Sequence, residues 1–220
     1  MSAHLILDFD STIVTVESLD ELAAIALEGR SDRAEVLARI RSITDAGMDG
    51  SLPIDQSLSQ RLALLRFDRA MVDRLIARLH AAVSPSLLAH AKELREGADR
   101  VWVVTSGFHE WIDPVVEALG IERSHVCANR LLWSADGRSL GLDPSSKLAS
   151  PRSKPRAVRA LGLSGRVIAV GDGITDWEIR DDGAAHEFIA LTETVERAPV
   201  VVHADQIARD FGTVMQRWRA

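Results

Sequence analysis

Strand-like and helix-like segments alternate along most of this 220-residue chain, which predicts a doubly wound, Rossmann-like α/β fold on a parallel sheet. Two departures from the alternation predict additions to it. Residues 18–82 contain no strand-like run, so an inserted helical cap is expected directly after the first strand. Residues 131–142 carry Ala135-Asp136-Gly137 between apolar flanks, the pattern of a small β-hairpin flap.

The first element runs from His4 to Phe9, where Leu5, Ile6 and Leu7 follow without a polar break, as in a strand buried on both faces. Ser18 and Glu21 have capping-box spacing at the start of the first cap helix, and Gly29 supplies its stop. Gly47 is expected to close a second helix, Pro53 to open a third and Asp68 to cap a fourth. Beyond the cap, strands are expected at 101–105, 166–171, 188–191 and 199–203, with amphipathic helices at 85–96, 108–119 and 155–161. The expected organisation is an α/β core from residues 1–15 and 80–220, with the cap at 16–79.

Composition excludes several function classes. A hydrophobic fraction of 46% with 26% charged residues is that of a folded globular enzyme. The net charge of −6 argues against nucleic acid as a partner, which requires a clustered basic face. Cys127 is the single cysteine, so neither an internal disulfide nor a cysteine metal site is expected. Met1-Ser2-Ala3-His4 leads into the first strand without a basic or long apolar segment. The expectation is a cytoplasmic protein with no membrane partner.

Four motifs carry candidate chemistry, each expected where a strand ends, the edge where open α/β sheets bind ligands. Asp8-Phe9-Asp10-Ser11-Thr12 places two carboxylates two residues apart, a pairing suited to a nucleophile and an acid/base. Thr105-Ser106-Gly107 precedes a helix, where hydroxyl and backbone donors can converge on an oxyanion. Lys154 stands before another helix and can neutralise charge on transferring phosphoryl oxygens, with Lys147 as its rival. Gly171-Asp172-Gly173-Ile174-Thr175-Asp176 sets two acids four apart on a turn, a hard oxygen site of the kind Mg²⁺ prefers.

In this order, the motifs resemble the haloacid dehalogenase superfamily of phosphohydrolases over nearly the whole chain. Within it the sequence is similar to the phosphoserine phosphatase family. The resemblance lies in Asp8 to Thr12 followed by Glu17 and Asp20-Glu21-Leu22-Ala23, in the cap run from Gln56 to Leu65, in Ala128-Asn129-Arg130-Leu131, and in Gly171 to Asp176.

The resemblance implies a role for each matched residue. Asp8 would attack phosphorus to form an aspartyl phosphate, and Asp10 would protonate the leaving oxygen and then activate water. Thr105 and Lys154 would hold phosphoryl oxygens. Mg²⁺ would sit on Asp8, the backbone carbonyl of Asp10 and Asp172, with Asp176 supporting it through water. In the cap, Glu17 would meet the substrate ammonium, Arg61 its carboxylate, and Met48 would form an apolar wall. Ser106, Gly107, Thr175 and Arg197 complete the residues implied at the substrate.

The residues alone leave Arg61 open between two readings. Leu58, Arg61 and Leu65 share a helix face, which also suits a packed stem with its head in water. Thr105-Ser106-Gly107-Phe108 departs from the family's usual Ser-Gly-Gly-Phe, and Ser106 adds a side chain beside the expected substrate. The implied activity is Mg²⁺-dependent hydrolysis of O-phospho-L-serine, the phosphomonoester used in serine biosynthesis. A same-fold phosphatase or phosphotransferase for another small phosphorylated metabolite, and a non-enzymatic phosphoacceptor, are the alternatives. His109, Trp111 and Trp133 are read as packing residues.

Overall fold

The computed structural model describes residues 3–220. Its centre is a six-stranded sheet in the order β3-β2-β1-β6-β7-β8, parallel throughout. β1 (Ala3–Leu7) and β6 (Arg166–Gly171) lie side by side, flanked by β2 (Val101–Phe108) and β7 (Glu187–Leu191). β3 (Val126–Asn129) and β8 (Gln206–Ala208) form the edges.

Alternate residues of each central strand enter different cores, because side chains of a strand point to opposite faces. Leu5, Leu7, Val103, Ile168, Val170 and Ile189 join one cluster. Ile6, Val104, Val167, Ala169, Phe188 and Ala190 join the other. The first face is covered by α5 (Pro85–Ala89), α6 (Ala91–Glu96), α7 (His109–Ala118) and α11 (Phe211–Arg219). The second is covered by α8 (Ser153–Ala160), α9 (Ile174–Asp181) and α10 (Ala198–Val201). Burial on both faces explains why the central strands read as unbroken apolar runs.

Four helices follow β1: α1 (Ser18–Ala26), α2 (Arg33–Met48), α3 (Ile54–Ala63) and α4 (Arg69–Ala81). The chain leaves and re-enters the sheet region through paired backbone. The Thr15 N–H donates to the Ala82 carbonyl at 2.8 Å and the Ser84 N–H to the Ile13 carbonyl at 2.9 Å. α4 packs on α1 and α7, and one apolar cluster runs from the sheet into the helices. The expected hairpin is present as antiparallel β4 (Leu131–Trp133) and β5 (Ser139–Leu142), with Gly137 at φ +80° in its turn.

Several local expectations are corrected. Residues 199–203 are not a strand: Pro199 lies in the first turn of α10, where its missing N–H costs nothing. The true edge strand is Gln206–Ala208, with Ile207 exposed and Ala208 buried, too short to show an apolar run. β3 has no long apolar run and went unpredicted for the same reason. The helix expected at 85–96 is two helices, and α8 starts at Ser153, so Lys154 lies inside its first turn.

Two cap expectations fail more instructively. Ser18 forms no capping box; the residue before α1 makes no side-chain cap, and Ser18 donates to Asp10 instead. Gly47 does not end α2 but lies within it, where an added Cβ would stand 2.6 Å from Ser57 Oγ. It is there because α2 and α3 approach closely, a tertiary reason invisible in local sequence. Asp68 does cap α4, accepting from the Met71 N–H at 2.9 Å.

Candidate active site

The chain leaves β1 through a loop that folds back on itself. The Asp8 N–H still belongs to the sheet, donating to the Val170 carbonyl at 3.0 Å, while Ser11 takes φ +53°. A left-handed backbone at a non-glycine residue costs on the order of 1–3 kcal/mol and marks a place where the surrounding structure dictates the conformation. The reversal keeps both carboxylates of the first motif on the site side rather than on opposite faces.

Asp8 is buried, its Oδ1 accepting from the Phe9 N–H at 2.7 Å. Lys154, also buried, reaches it from α8: Nζ stands 2.9 Å from Asp8 Oδ2 and 2.7 Å from Asp176 Oδ1. Lys147, its rival, is exposed. Asp8, Asp172 and Asp176 bring one carboxylate oxygen each to within 4.8 Å of one another. Asp176 is folded back by its bond from the Gly173 N–H at 3.1 Å, over Gly171, where a Cβ would collide with its carboxylate.

Asp10 accepts from the Ser18 N–H at 2.9 Å and the Ser18 hydroxyl at 3.0 Å, at the N-terminus of α1. β2 bulges between Val104 and Phe108, carrying Thr105 to Gly107 out of the ladder. The buried Thr105 hydroxyl accepts from the Gly107 N–H at 3.1 Å. An added Cβ on Gly107 would stand 2.7 Å from Ile112 Cδ1, which would have to turn away, and 3.8 Å from Asp10 Oδ2, so this glycine lies close beside the Asp10 carboxylate. Asn129 Nδ2 donates to the Ser106 carbonyl at 2.8 Å and Asn129 Oδ1 accepts from the Leu148 N–H at 3.0 Å, tying the second motif to the segment before Lys154.

The electrostatics are those of crowded acids short of positive charge. Burial, then the charges of Glu17 and Asp8, push Asp10 and Asp172 well above the usual carboxylate range. Burial and Asp8 push Asp176 up to about 7, against the pull of Lys154. Burial alone would lower the Lys154 ammonium, but Asp176 and Asp8 outweigh it and raise its pKa. All the donors in this cluster are oxygen, the set that a hard divalent cation such as Mg²⁺ takes.

Glu17 lies beside this floor. Its Oε1 accepts from the Ser11 hydroxyl at 2.8 Å, while the buried Oε2 has no hydrogen-bond partner. Burial raises its pKa and Arg61 opposes the rise. Arg61 is itself buried, its guanidinium on neutral oxygens: Nε to the Ser57 carbonyl at 3.4 Å and NH1 to Thr44 Oγ1 at 3.2 Å. Met48 is buried on α2, its sulfur 3.3 Å from where a Cβ on Gly173 would stand. Thr175 is buried in the first turn of α9.

Arg197 spans the rim. It pairs with Asp172 at 3.1 Å, with Asp45 at 3.1 Å and with Glu17 at 3.6 Å. Every sequence-predicted site residue therefore falls in this region or on the segments bounding it. Ser11, Thr12, Ser18, Asp20, Thr44, Asp45 and Asn129 also bond to these residues or their neighbours. Ser11, Thr12, Asp20 and Asn129 stand inside the matched motifs, whereas the spacing of Thr44 and Asp45 carries no site signal. Outside it, Trp111 packs on Phe108, Trp133 on Phe67, and His109 pairs with Asp113 at 2.8 Å, as structural residues do.

Comparison with known proteins agrees with this geometry. The sequence model of the haloacid dehalogenase-like hydrolase family matches residues 5–179. The chloroplastic phosphoserine phosphatase of Arabidopsis thaliana is 30% identical over 211 residues, covering 94% of this chain and 69% of that protein. A crystal structure of a phosphoserine phosphohydrolase-like protein from Francisella tularensis superposes with a TM-score of 0.88 at 28% identity, covering 99% of both chains. A phosphoserine phosphatase solved as its phospho-aspartyl intermediate analogue gives 0.80 at 27% identity, again covering 99% of both. Among the described residues no helix is long and apolar enough to cross a membrane. The chain belongs to the haloacid dehalogenase-like hydrolase family and, within it, to the phosphoserine phosphatase-like phosphoric monoester hydrolases.

Proposed function

We propose that the protein is a Mg²⁺-dependent phosphomonoesterase that hydrolyses O-phospho-L-serine, as in serine biosynthesis, through an aspartyl phosphate on Asp8. The observation that carries the substrate is the pairing of a buried guanidinium, Arg61, bonded only to neutral oxygens, with a buried carboxylate oxygen of Glu17 that has no donor. Arg61 has no ion-pair partner among the described residues, and Glu17 meets Arg197 only at 3.6 Å and through its other oxygen. Both therefore keep unmet bonding capacity in a buried setting, which is costly. A substrate bearing both a carboxylate and an ammonium satisfies both groups at once.

Asp8 attacks phosphorus while the serine oxygen departs with the proton of Asp10. The raised pKa of Asp10 suits a group that must carry that proton near neutral pH. Asp10, now a carboxylate, takes a proton from the water that hydrolyses the aspartyl phosphate. Two displacements replace one harder displacement. Thr105 and Lys154 hold the phosphoryl oxygens, and the Lys154 ammonium balances charge that spreads over them in a loose transition state. Asp8, Asp172, Asp176 and the Asp10 carbonyl would hold Mg²⁺, which supplies further charge neutralisation at the phosphoryl group.

Residues 16–79 act in this reading as the cap that excludes water from the closed site. Met48, Ser106, Gly107, Thr175 and Arg197 line the space between cap and sheet edge. The test is phosphate release over a panel of small phosphomonoesters with Mg²⁺, ranked by kcat/KM. Phosphoserine is expected first; a phosphosugar or an alcohol phosphate lacking the amino-acid group in first place overturns the substrate assignment.

A further inference from the structure

We propose that Thr44 and Asp20 are positioning residues for Arg61, a relay from α3 through α2 to α1 that makes the enzyme selective for phosphomonoesters bearing a carboxylate. The proposal deepens the phosphoserine reading above and rests on it for the identity of that carboxylate.

The relay is a directed chain of hydrogen bonds. Arg61 NH1 donates to Thr44 Oγ1 at 3.2 Å, and the Thr44 hydroxyl donates to Asp20 Oδ1 at 2.8 Å. Thr44 has one proton to give, and its alternative acceptor, the Ile40 carbonyl one turn back, is farther away at 3.1 Å. A threonine in a helix ordinarily bonds to that carbonyl, and such a bond says nothing about function. The carboxylate of Asp20 provides a stronger acceptor, since a charged partner roughly doubles a hydrogen bond. With the proton drawn towards Asp20, the lone pairs of Thr44 Oγ1 are free to accept from Arg61.

The interposed hydroxyl leaves Arg61 its charge. A carboxylate in direct contact would form a complete ion pair and compete with the substrate for the same fork of donors. Among the described residues no ion pair within 4.0 Å forms at Arg61, although Asp20 influences it through one intervening side chain. The anchor is rigid as well. Arg61 and Thr44 are both buried, Arg61 Nε is held by the Ser57 carbonyl, and the Ser57 hydroxyl donates to the Ile43 carbonyl at 3.1 Å. Gly47 lets α2 approach Ser57 closely enough for this arrangement. Asp20 also has a reason to be where it is: it lies in the first turn of α1, where a carboxylate is favoured by the helix dipole.

The experiment compares Thr44→Val, Thr44→Ser and Asp20→Asn with the native enzyme on phosphoserine and on p-nitrophenyl phosphate, with melting curves to confirm folding. Thr44→Val is expected to raise KM for phosphoserine about tenfold, about 1.4 kcal/mol, with kcat within about twofold. The aryl phosphate, which has no carboxylate, should show no matching loss. Thr44→Ser restores the native KM, and Asp20→Asn gives a smaller rise because its amide oxygen still accepts. Equal losses on both substrates, or no change in KM, overturn the relay.

A native enzyme that ignores phosphoserine defeats the substrate reading and leaves the relay to a second measurement. In ¹⁵N-labelled protein, the Arg61 NH1 resonance, assigned with Arg61→Lys, should be protected from exchange in native and Thr44→Ser protein, where the hydroxyl at position 44 accepts from it. It should lose that protection in Thr44→Val. Equal protection in all three overturns the relay whatever the substrate.

Discussion

The floor of the site and its cap wall are both rich in buried charge, but they handle it in opposite ways. On the floor, Lys154 ties Asp8 and Asp176 together, Arg197 meets Asp172 and Ser18 meets Asp10, so each acid has a partner inside the protein. On the wall, Arg61 rests on neutral oxygens and Glu17 leaves Oε2 without a donor. The floor is organised for a reaction common to every substrate of the family. Under the proposed function, the wall meets the polar groups of one substrate. Chemistry and specificity then draw on different segments: the floor on the residues after β1 and β6 and the first turns of α1, α8 and α9, the wall on Glu17 before α1 and on α2 and α3.

The contrast can be broken most severely at Asp8. Asp8→Asn removes the nucleophile and should lower phosphate release by about 10⁴-fold or more on every substrate, as loss of a covalent nucleophile does. Lys154→Met should cost roughly 10²- to 10³-fold in kcat, the scale of losing one donor to developing charge. It should also lower the melting temperature, because the carboxylates of Asp8 and Asp176 then lose a buried partner. A variant inactive on phosphoserine yet active on p-nitrophenyl phosphate at either position would erase the distinction between floor and wall.

On the wall, Arg61→Ala should raise KM for phosphoserine roughly 10- to 100-fold, the worth of a hydrogen-bonded charge pair, and spare the aryl phosphate. Equal losses on both substrates would move Arg61 from specificity to chemistry.

Removing divalent cations gives a pH signature of the floor. Asp176 binds its proton more tightly in the folded protein, about 7 against an ordinary 3.8. Between those values the native state holds more protons than the unfolded one, so chelated protein should lose stability as pH rises from about 4 to 7. Mg²⁺ should restore it most at the upper end. Melting curves with and without EDTA across that range check this, and a chelated melting temperature that rises with pH contradicts it. The smallest effect is expected at the rim. Asp45 is exposed, so Asp45→Asn should cost at most about 1 kcal/mol and little activity, as surface ion pairs do.

Much of this was legible in the chain. Unbroken apolar runs announced β1, β2, β6 and β7, because a strand covered on both faces has no polar side to show. β3 and β8 are four and three residues long, too short for an apolar run, and the valines after Pro199 resemble a strand but belong to α10 and its end. Motif residues stood out for a related reason: Asp8 and Asp172 directly follow strands β1 and β6, and Asp176 stands in the first turn of α9 just beyond, where acids are unexpected unless something binds them.

The sequence by itself determined the alternating architecture, the helical insertion, the hairpin and the charged motifs at strand ends. These features are written in patterns within one or two turns of chain. Only the tertiary structure decided that Ser18 serves Asp10 rather than its own helix, that Gly47 admits Ser57, and that Thr44 stands between Arg61 and Asp20. Each of those depends on which distant surfaces meet, and hydrogen bonds between side chains remote in sequence leave no periodicity to read.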